Sequence, residues 1–243
     1  MTDQNKDDNI TALCKWNTSN AACSPEPSAA YERIMRQDND TKQKLLASAK
    51  EEFMEKGYQG ASLRGICKKA GVTTGALYFF FQDKEDLFTS LVTPVLQKIQ
   101  GMMQEHMRQE LLDAQGAEQE TDERNDLRDD AYVSRMILQE LYRDYDSVQL
   151  LLTRSQGSKM AGCIDMFVEY AQQGYRHLAD VQAQKMGVKA PDDYTVHWMA
   201  HMQIDAFVHL LTHEPDEQKA MEHLEDIVRY LIAGWEALFE KHD

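Results

Sequence analysis

Apolar side chains recur along this chain at helical spacing, and no run alternates as a strand would. From Thr41, the residues Leu45, Leu46, Ala49 and Phe53 share one helix face, and Gly57 supplies a stop. Ser62 can cap a short helix with Leu63, Ile66, Cys67 and Ala70 on its apolar side, and Gly71 breaks it. Thr73 opens a third helix through Leu77 and Tyr78, and Gln82-Asp83 opens a fourth, which Pro94 should bend. Residues 114–124 are a polar connector. Further helices are predicted at 125–145, 147–155, 158–186, 192–213 and 216–240, with Gly157 and Gly187 as stops and Asp192 and Asp216 as starts. Phe53, Ile66, Leu77 and Phe81 are expected in the core, and Phe80 is divided between packing and exposure.

Charge divides the 243 residues more sharply than hydropathy does. The whole chain carries a net −15, an unpromising balance for a partner of polyanions. Counted by segment, residues 1–40 carry −3, residues 41–90 carry +2 and residues 91–243 carry −14. Only the middle segment escapes repulsion by a polyanion. Residues 1–40 are rich in Asn, Asp, Ser and Ala and are expected to form a disordered or partly helical arm, Ala29 to Gln37 being its helical part. Lys6, Lys15, Arg33 and Arg36 are that arm's cations. No stretch approaches the about 18 apolar residues of a membrane helix. The start lacks an apolar signal region, and Cys14, Cys23, Cys67 and Cys163 have no CxxC spacing, so a reducing cytoplasm is expected and no membrane partner.

Within 41–90, two short helices joined through Ala70-Gly71-Val72 form a helix-turn-helix, whose second helix can present its first residues to a major groove. Phe53, Gly57, Tyr58, Ser62, Leu63, Ile66, Ala70, Gly71, Val72, Gly75, Leu77, Tyr78, Phe81, Lys84, Glu85 and Leu87 resemble, in identity and spacing, the signature of the TetR/AcrR transcriptional regulators. The likeness covers about 47 residues without a gap; the rest of the chain is similar to the family's variable half only weakly.

The resemblance implies an all-α fold: an N-terminal three-helix helix-turn-helix DNA-binding domain, 41–90, followed by a helical-bundle ligand-binding and dimerisation domain, 91–243. It implies that Ser62 caps the first helix of the motif and touches a phosphate, and that Thr73, Thr74, Gly75 and Ala76 stand at the exposed start of the recognition helix. It places groove and backbone contacts at Tyr78 and Phe79 and a phosphate contact at the backbone amide and the ammonium of Lys84. Thr74 stands where the family is frequently basic, and Phe79 and Phe80 where it often has Tyr, His or Trp. The recognition helix thus has no cation, and base reading would rest on hydroxyls, methyl contacts and DNA shape. Lys42, Lys44, Arg64, Lys68, Lys69 and Lys84 would supply charge around it, with at most one of Lys68 and Lys69 facing DNA.

The acidic half holds 10 of the 13 methionines. Met102, Met103, Met107, Met136, Met160, Met166, Met199 and Met202, with Tyr132, Phe167, Tyr170 and Trp198, could line an adaptable ligand pocket or simply fill a core. Phe207, Leu210, Leu224, Val228, Leu231 and Trp235 recur on the last two helices and are expected at a two-fold dimer interface. His197, His201, Asp205, His209 and His213 recur every fourth residue. The first three could share a metal ion, although a run of interface or internally satisfied histidines gives the same pattern. No phosphate loop, nucleophile elbow or Glu-x-x-His pair is present, so no enzyme and no cofactor are expected. The expected partners are double-stranded operator DNA, a small-molecule effector and a second copy of the chain. The function that fits is a repressor released from a palindromic operator by its effector, the alternative being a protein-interaction adaptor with a degenerate helix-turn-helix.

Overall fold

The structure, a computed structural model, describes residues 29–116 and 123–240. Residues 1–28 of the expected arm and the middle of the 114–124 connector lie outside the described residues. Residues 1–41 and 42–243 separate as two units and are described apart. In the first, the described backbone is helical from Ala29, and Thr41 Oγ1 donates to the Gln37 carbonyl at 2.8 Å.

The described residues are helical without a strand. The elements are α1 (Ala29–Gly60), α2 (Leu63–Ala70), α3 (Thr74–Phe80), α4 (Lys84–Gly116), α5 (Glu123–Arg143), α6 (Tyr145–Arg154), a 3-10 turn at Lys159–Gly162, α7 (Cys163–Met186), α8 (Asp193–His213) and α9 (Glu217–Ala237). Polar side chains start these helices where the sequence placed them. Asp192 Oδ1 accepts the Thr195 N–H at 2.8 Å, Asp216 Oδ1 accepts that of Lys219 at 3.1 Å, and Asp83 Oδ1 accepts that of Asp86 at 2.8 Å. Gly57 leaves helical geometry at φ 69°, and Gly187 closes α7 in the left-handed region at φ 64°. Pro94 does not end α4, which runs through it as one element of 33 residues. The break between α5 and α6 falls at Asp144, two residues before the predicted one.

Two large cores carry the fold. The first gathers Leu45, Phe53, Ile66, Leu77, Phe81 and Phe88 with Leu91, Val92 and Leu96 of α4 and with Leu150, Leu151 and Cys163 beyond it. Phe53, Ile66 and Leu77 are fully buried, as expected, and Phe80 is half-buried against the same cluster. The second core joins Val95 and Ile99 of α4 to Leu138 and Leu141 of α5, Val148 of α6, Leu210 and Leu211 of α8 and Leu224 and Val228 of α9. Helix α4 is therefore common to both cores, and its first turns complete the packing of the helix-turn-helix. Burial of this kind contributes about 25 cal/mol per Å² of apolar surface, so the first half of α4, Leu87 to Ile99, is firmly seated.

This packing corrects the expected dimer face. Leu210, Leu224 and Val228 are buried within their own chain, and Phe207 packs partly against the same cluster. Leu231 and Trp235 turn inward to line a cavity. Helical spacing located an apolar stripe but could not say whether it faced its own bundle or a partner.

Candidate nucleic-acid interface and internal cavity

Local capping aims α3. Ser62 Oγ accepts the Gly65 N–H at 3.1 Å and starts α2. Gly71, at φ 68° and ψ 29°, turns the chain where a side chain would be strained. Thr73 Oγ1 then accepts the Ala76 N–H at 3.1 Å and starts α3. Leu77, with no exposure, and Phe81 pin one side of α3 into the core. The other side stands in solvent: Tyr78 is 56% exposed and Phe79 74%. Thr73, Thr74 and Gly75 are exposed beside them, Ala76 is half-buried, and Ser62 and Arg64 are exposed at the start of α2. The Ser62 and Thr73 hydroxyls each accept a capping bond and keep an O–H to donate. Two exposed aromatic rings on a seven-residue helix are costly in water unless another surface covers them.

The cations around α3 sort into two sets. Lys69 pairs with Glu55 at 2.9 Å and Glu52 at 3.2 Å, and Lys56 pairs with Glu52 at 2.7 Å. Glu52 is fully buried, and the hydrogen bond from Lys56 holds its carboxyl below the usual range, against the opposing effect of burial. Lys84 is also committed. Its ammonium donates to the carbonyls of Tyr58 at 2.8 Å, Ala61 at 3.3 Å and Gln59 at 3.4 Å, and lies 4.5 Å from the centre of the Tyr58 ring. The expected phosphate contact by the Lys84 side chain is thus corrected: the ammonium satisfies carbonyls left open where α1 breaks at Gly57. No ion pair engages Lys42, Lys44, Arg64 or Lys68 among the described residues, and Lys42 lies 5.9 Å from the Phe81 ring centre.

One carboxylate ties this motif to the rest of the chain. Glu85 accepts the Tyr58 hydroxyl at 2.6 Å through one oxygen and the Lys159 backbone N–H at 2.9 Å through the other. Burial, together with this bond to Glu85, pushes the Tyr58 phenol up to about 12. Lys50 reaches Asp144 at 2.7 Å, joining α1 to the residue that begins α6.

A cavity of about 250 Å³ lies among α4 to α9. Of the residues expected there, Met103, Met107, Phe167, Tyr170 and Met199 line it, and Met102 and Met160 do not. Tyr132, Met136, Met166 and Trp198 do not; they are 61%, 41%, 48% and 50% exposed, on helix faces turned to solvent. Met202 borders a separate surface groove with Ala206, Ile227 and Tyr230. Sequence reasoning missed Gln203, Phe207 and Leu211, which continue from Met199 as an inward stripe that also repeats every fourth residue, two positions out of phase with the histidines. That stripe was available as a signal and was obscured by the histidines beside it.

The histidine stripe takes the outer side of α8. His197 Nδ1 lies 2.8 Å from Gln172 Oε1, the His197 and His201 rings are 4.6 Å apart, and those of His209 and His213 are 4.0 Å apart. No group of three His, Cys, Asp or Glu placed to hold a metal occurs among the described residues. The candidate set His197, His201 and Asp205 is corrected accordingly, because each step of four drifts about 40° around a helix and carries Asp205 away.

Residues 45–91 match the model for bacterial regulatory proteins of the tetR family. The HTH-type transcriptional repressor BepR of Brucella suis is 42% identical over 53 residues, 22% of this chain and 25% of that protein. The HTH-type transcriptional regulator AcrR of Shigella flexneri is 41% identical over 59 residues, 24% of this chain and 27% of that protein. The chain thus aligns with about a quarter of the length of each curated relative, the part that holds the motif. Likeness of fold extends further. NalD, the secondary repressor of the MexAB-OprM multidrug efflux pump in Pseudomonas aeruginosa, shares 20% identity at a TM-score of 0.53, covering 82% of this chain and 97% of that one. FadR of Bacillus subtilis, in complex with stearoyl-CoA, shares 19% at 0.52, covering 79% and 98%. The helix-turn-helix thus matches, in sequence, that of the tetR family of bacterial regulatory proteins, and the helical architecture of the chain is similar in fold to solved regulators.

Proposed function

We propose that this regulator is a dimeric repressor that binds a palindromic operator through residues 41–90 and is released by a small apolar effector bound within residues 91–243. The observation that carries this reading is the exposed pair Tyr78 and Phe79 on a helix whose other side is locked into the core. In this reading α3 enters the major groove. Tyr78, Phe79 and the Thr74 side chain meet bases or sugars, and the Ser62 and Thr73 hydroxyls, Arg64 and Lys68 hold phosphates. At Lys84 the backbone N–H at the start of α4, and not the ammonium, would meet a phosphate.

Release follows from the shared helix. Val95, Leu96, Ile99, Met103 and Met107 of α4 form one wall of the cavity, and the first turns of α4 hold the helix-turn-helix. A ligand that fits one position of α4 better than another biases the spacing of two DNA-binding heads by that difference in affinity. Half-sites about 34–36 Å apart would accept only one spacing. The names of the fold relatives accord with such a role, one a repressor of an efflux pump and the other bound to stearoyl-CoA. A dimer would form through the solvent-facing side of α8 and α9, where Tyr194, Trp198 and Tyr230 are exposed.

The test is a gel shift with the DNA upstream of the protein's own gene. Retarded bands at nanomolar protein, abolished by Tyr78→Ala, support the reading. Equal binding to random DNA of the same length would favour the adaptor alternative.

A further inference from the structure

The cavity wall has a chemical character that its size does not convey. Among the described residues no Lys, Arg, Asp or Glu contributes to it. Its polar side chains are His106, Ser134, Tyr170, Tyr175, Gln203 and Trp235; all else is aliphatic, thioether or Phe. Tyr175 and Gln203 form a fixed pair within it. The Tyr175 hydroxyl donates to Gln203 Oε1, and the Tyr175 ring packs 5.5 Å from that of Trp235. With its oxygen occupied, the Gln203 carboxamide has its NH2 to offer a ligand, and an NH2 seeks an acceptor. An ionised ligand would lose its hydration here and find no Lys, Arg, Asp or Glu among the described lining to compensate it.

From the wall without Lys, Arg, Asp or Glu and the oriented Gln203 donor we infer that the effector is an uncharged, mainly apolar molecule carrying a hydrogen-bond-accepting oxygen, such as an ester, ketone or lactone, seated at Gln203. This rests on reading the cavity as the effector site. The wall excludes carboxylates, phosphates and quaternary ammonium groups from its interior. A second feature defines its capacity. A Cβ placed on Gly174 would lie 2.2 Å from Met107 Cε and 2.5 Å from its sulfur, so the glycine makes room for a thioether that lines the cavity. Gly174→Ala would displace that flexible side chain at little cost to the fold and alter the space available to a ligand.

Three probes of equal chain length separate the possibilities: methyl octanoate, octanoate and octyltrimethylammonium, titrated calorimetrically into the full-length protein at pH 8. Methyl octanoate is expected to bind saturably, and the two ions at least about thirtyfold more weakly, because a buried charge goes uncompensated. Gln203→Leu, nearly isosteric, should weaken methyl octanoate about tenfold, the worth of one hydrogen bond. Gly174→Ala should change methyl octanoate affinity while circular dichroism and the ligand-free melting temperature stay as in the wild type. Octanoate or octyltrimethylammonium binding as tightly as the ester would overturn the inferred class while leaving the cavity a ligand site. Ester binding indifferent to Gln203→Leu would overturn the role of the carboxamide. Failure of all three probes to bind, or ester binding unmoved by Gly174→Ala, would overturn the inference together with the cavity reading beneath it.

Discussion

At the scale of single residues, exposure separates groups that sequence similarity treats alike. Tyr78 and Lys84 both stand at motif positions, yet one ring is 56% exposed and the other side chain is spent on three backbone carbonyls. Their substitutions should therefore fail differently. Tyr78→Ala is expected to weaken operator binding tenfold or more, about 1.4 kcal/mol, with an unchanged melting temperature. Lys84→Ala is expected to lower stability by about 1 kcal/mol, since part-buried carbonyls lose their donor, and to weaken DNA binding only through that loss. Melting curves beside binding curves distinguish the two, and a Lys84→Ala protein of wild-type stability would contradict the capping role. Thr74→Ala should alter sequence preference more than overall affinity, to be read from binding to a set of half-site variants.

At the scale of elements, what could be read from sequence was whatever local chemistry decides. Ser62, Thr73, Asp192 and Asp216 cap helices because a side-chain oxygen three residues from an open N–H is a local matter, and Gly57, Gly71 and Gly187 stop helices because each needs a positive φ. Which face of a helix meets a neighbour is not local. Met136 and Met107 are equally plausible cavity residues by type, but α5 turns Met136 outward while α4 turns Met107 in. Contacts between elements also set the acid response. The hydrogen bond from Lys98 of α4 holds the Glu140 carboxyl of α5 below the usual range. Burial opposes ionisation of Asp144, but the bond from Lys50, with the nearby polar groups of Ser147, prevails and lowers its pKa. A folded-state pKa below the unfolded one gives stability that is present above the ordinary carboxylate range and lost as pH falls through the folded value. The melting temperature is thus expected to hold from neutral pH to about pH 5 and to fall below it. Lys98→Met should flatten part of that fall, by about 1 kcal/mol or less given its exposed ammonium. A fall as steep as in the wild type would contradict the pairing.

At the scale of the whole molecule, the sequence reading was right that the last two helices carry apolar stripes and wrong about which stripe is free. The inward one, with Leu210, Leu224 and Val228, builds the bundle. The outward one carries Tyr194, Trp198 and Tyr230, and a dimer formed there predicts that a Trp198→Glu and Tyr230→Glu double substitution sediments as a monomer with its helical content intact. A dimer that survives both changes would assign the interface elsewhere. Charge points the same way: the −14 of residues 91–243 should keep the bundle off the duplex, so affinity must come from two copies of a segment with a net of only +2. Non-specific binding should accordingly be weak at physiological salt. The central claim, sequence-specific DNA binding by the exposed face of α3, is tested most directly by fluorescence anisotropy with a labelled fragment from upstream of the protein's own gene. The expected result is nanomolar binding of two chains per site, at least 1,000-fold tighter than to random DNA, and lost in a Tyr78→Ala and Phe79→Ala double variant that melts as the wild type does. Equal affinity for upstream and random DNA, or undiminished binding by that variant, would contradict it.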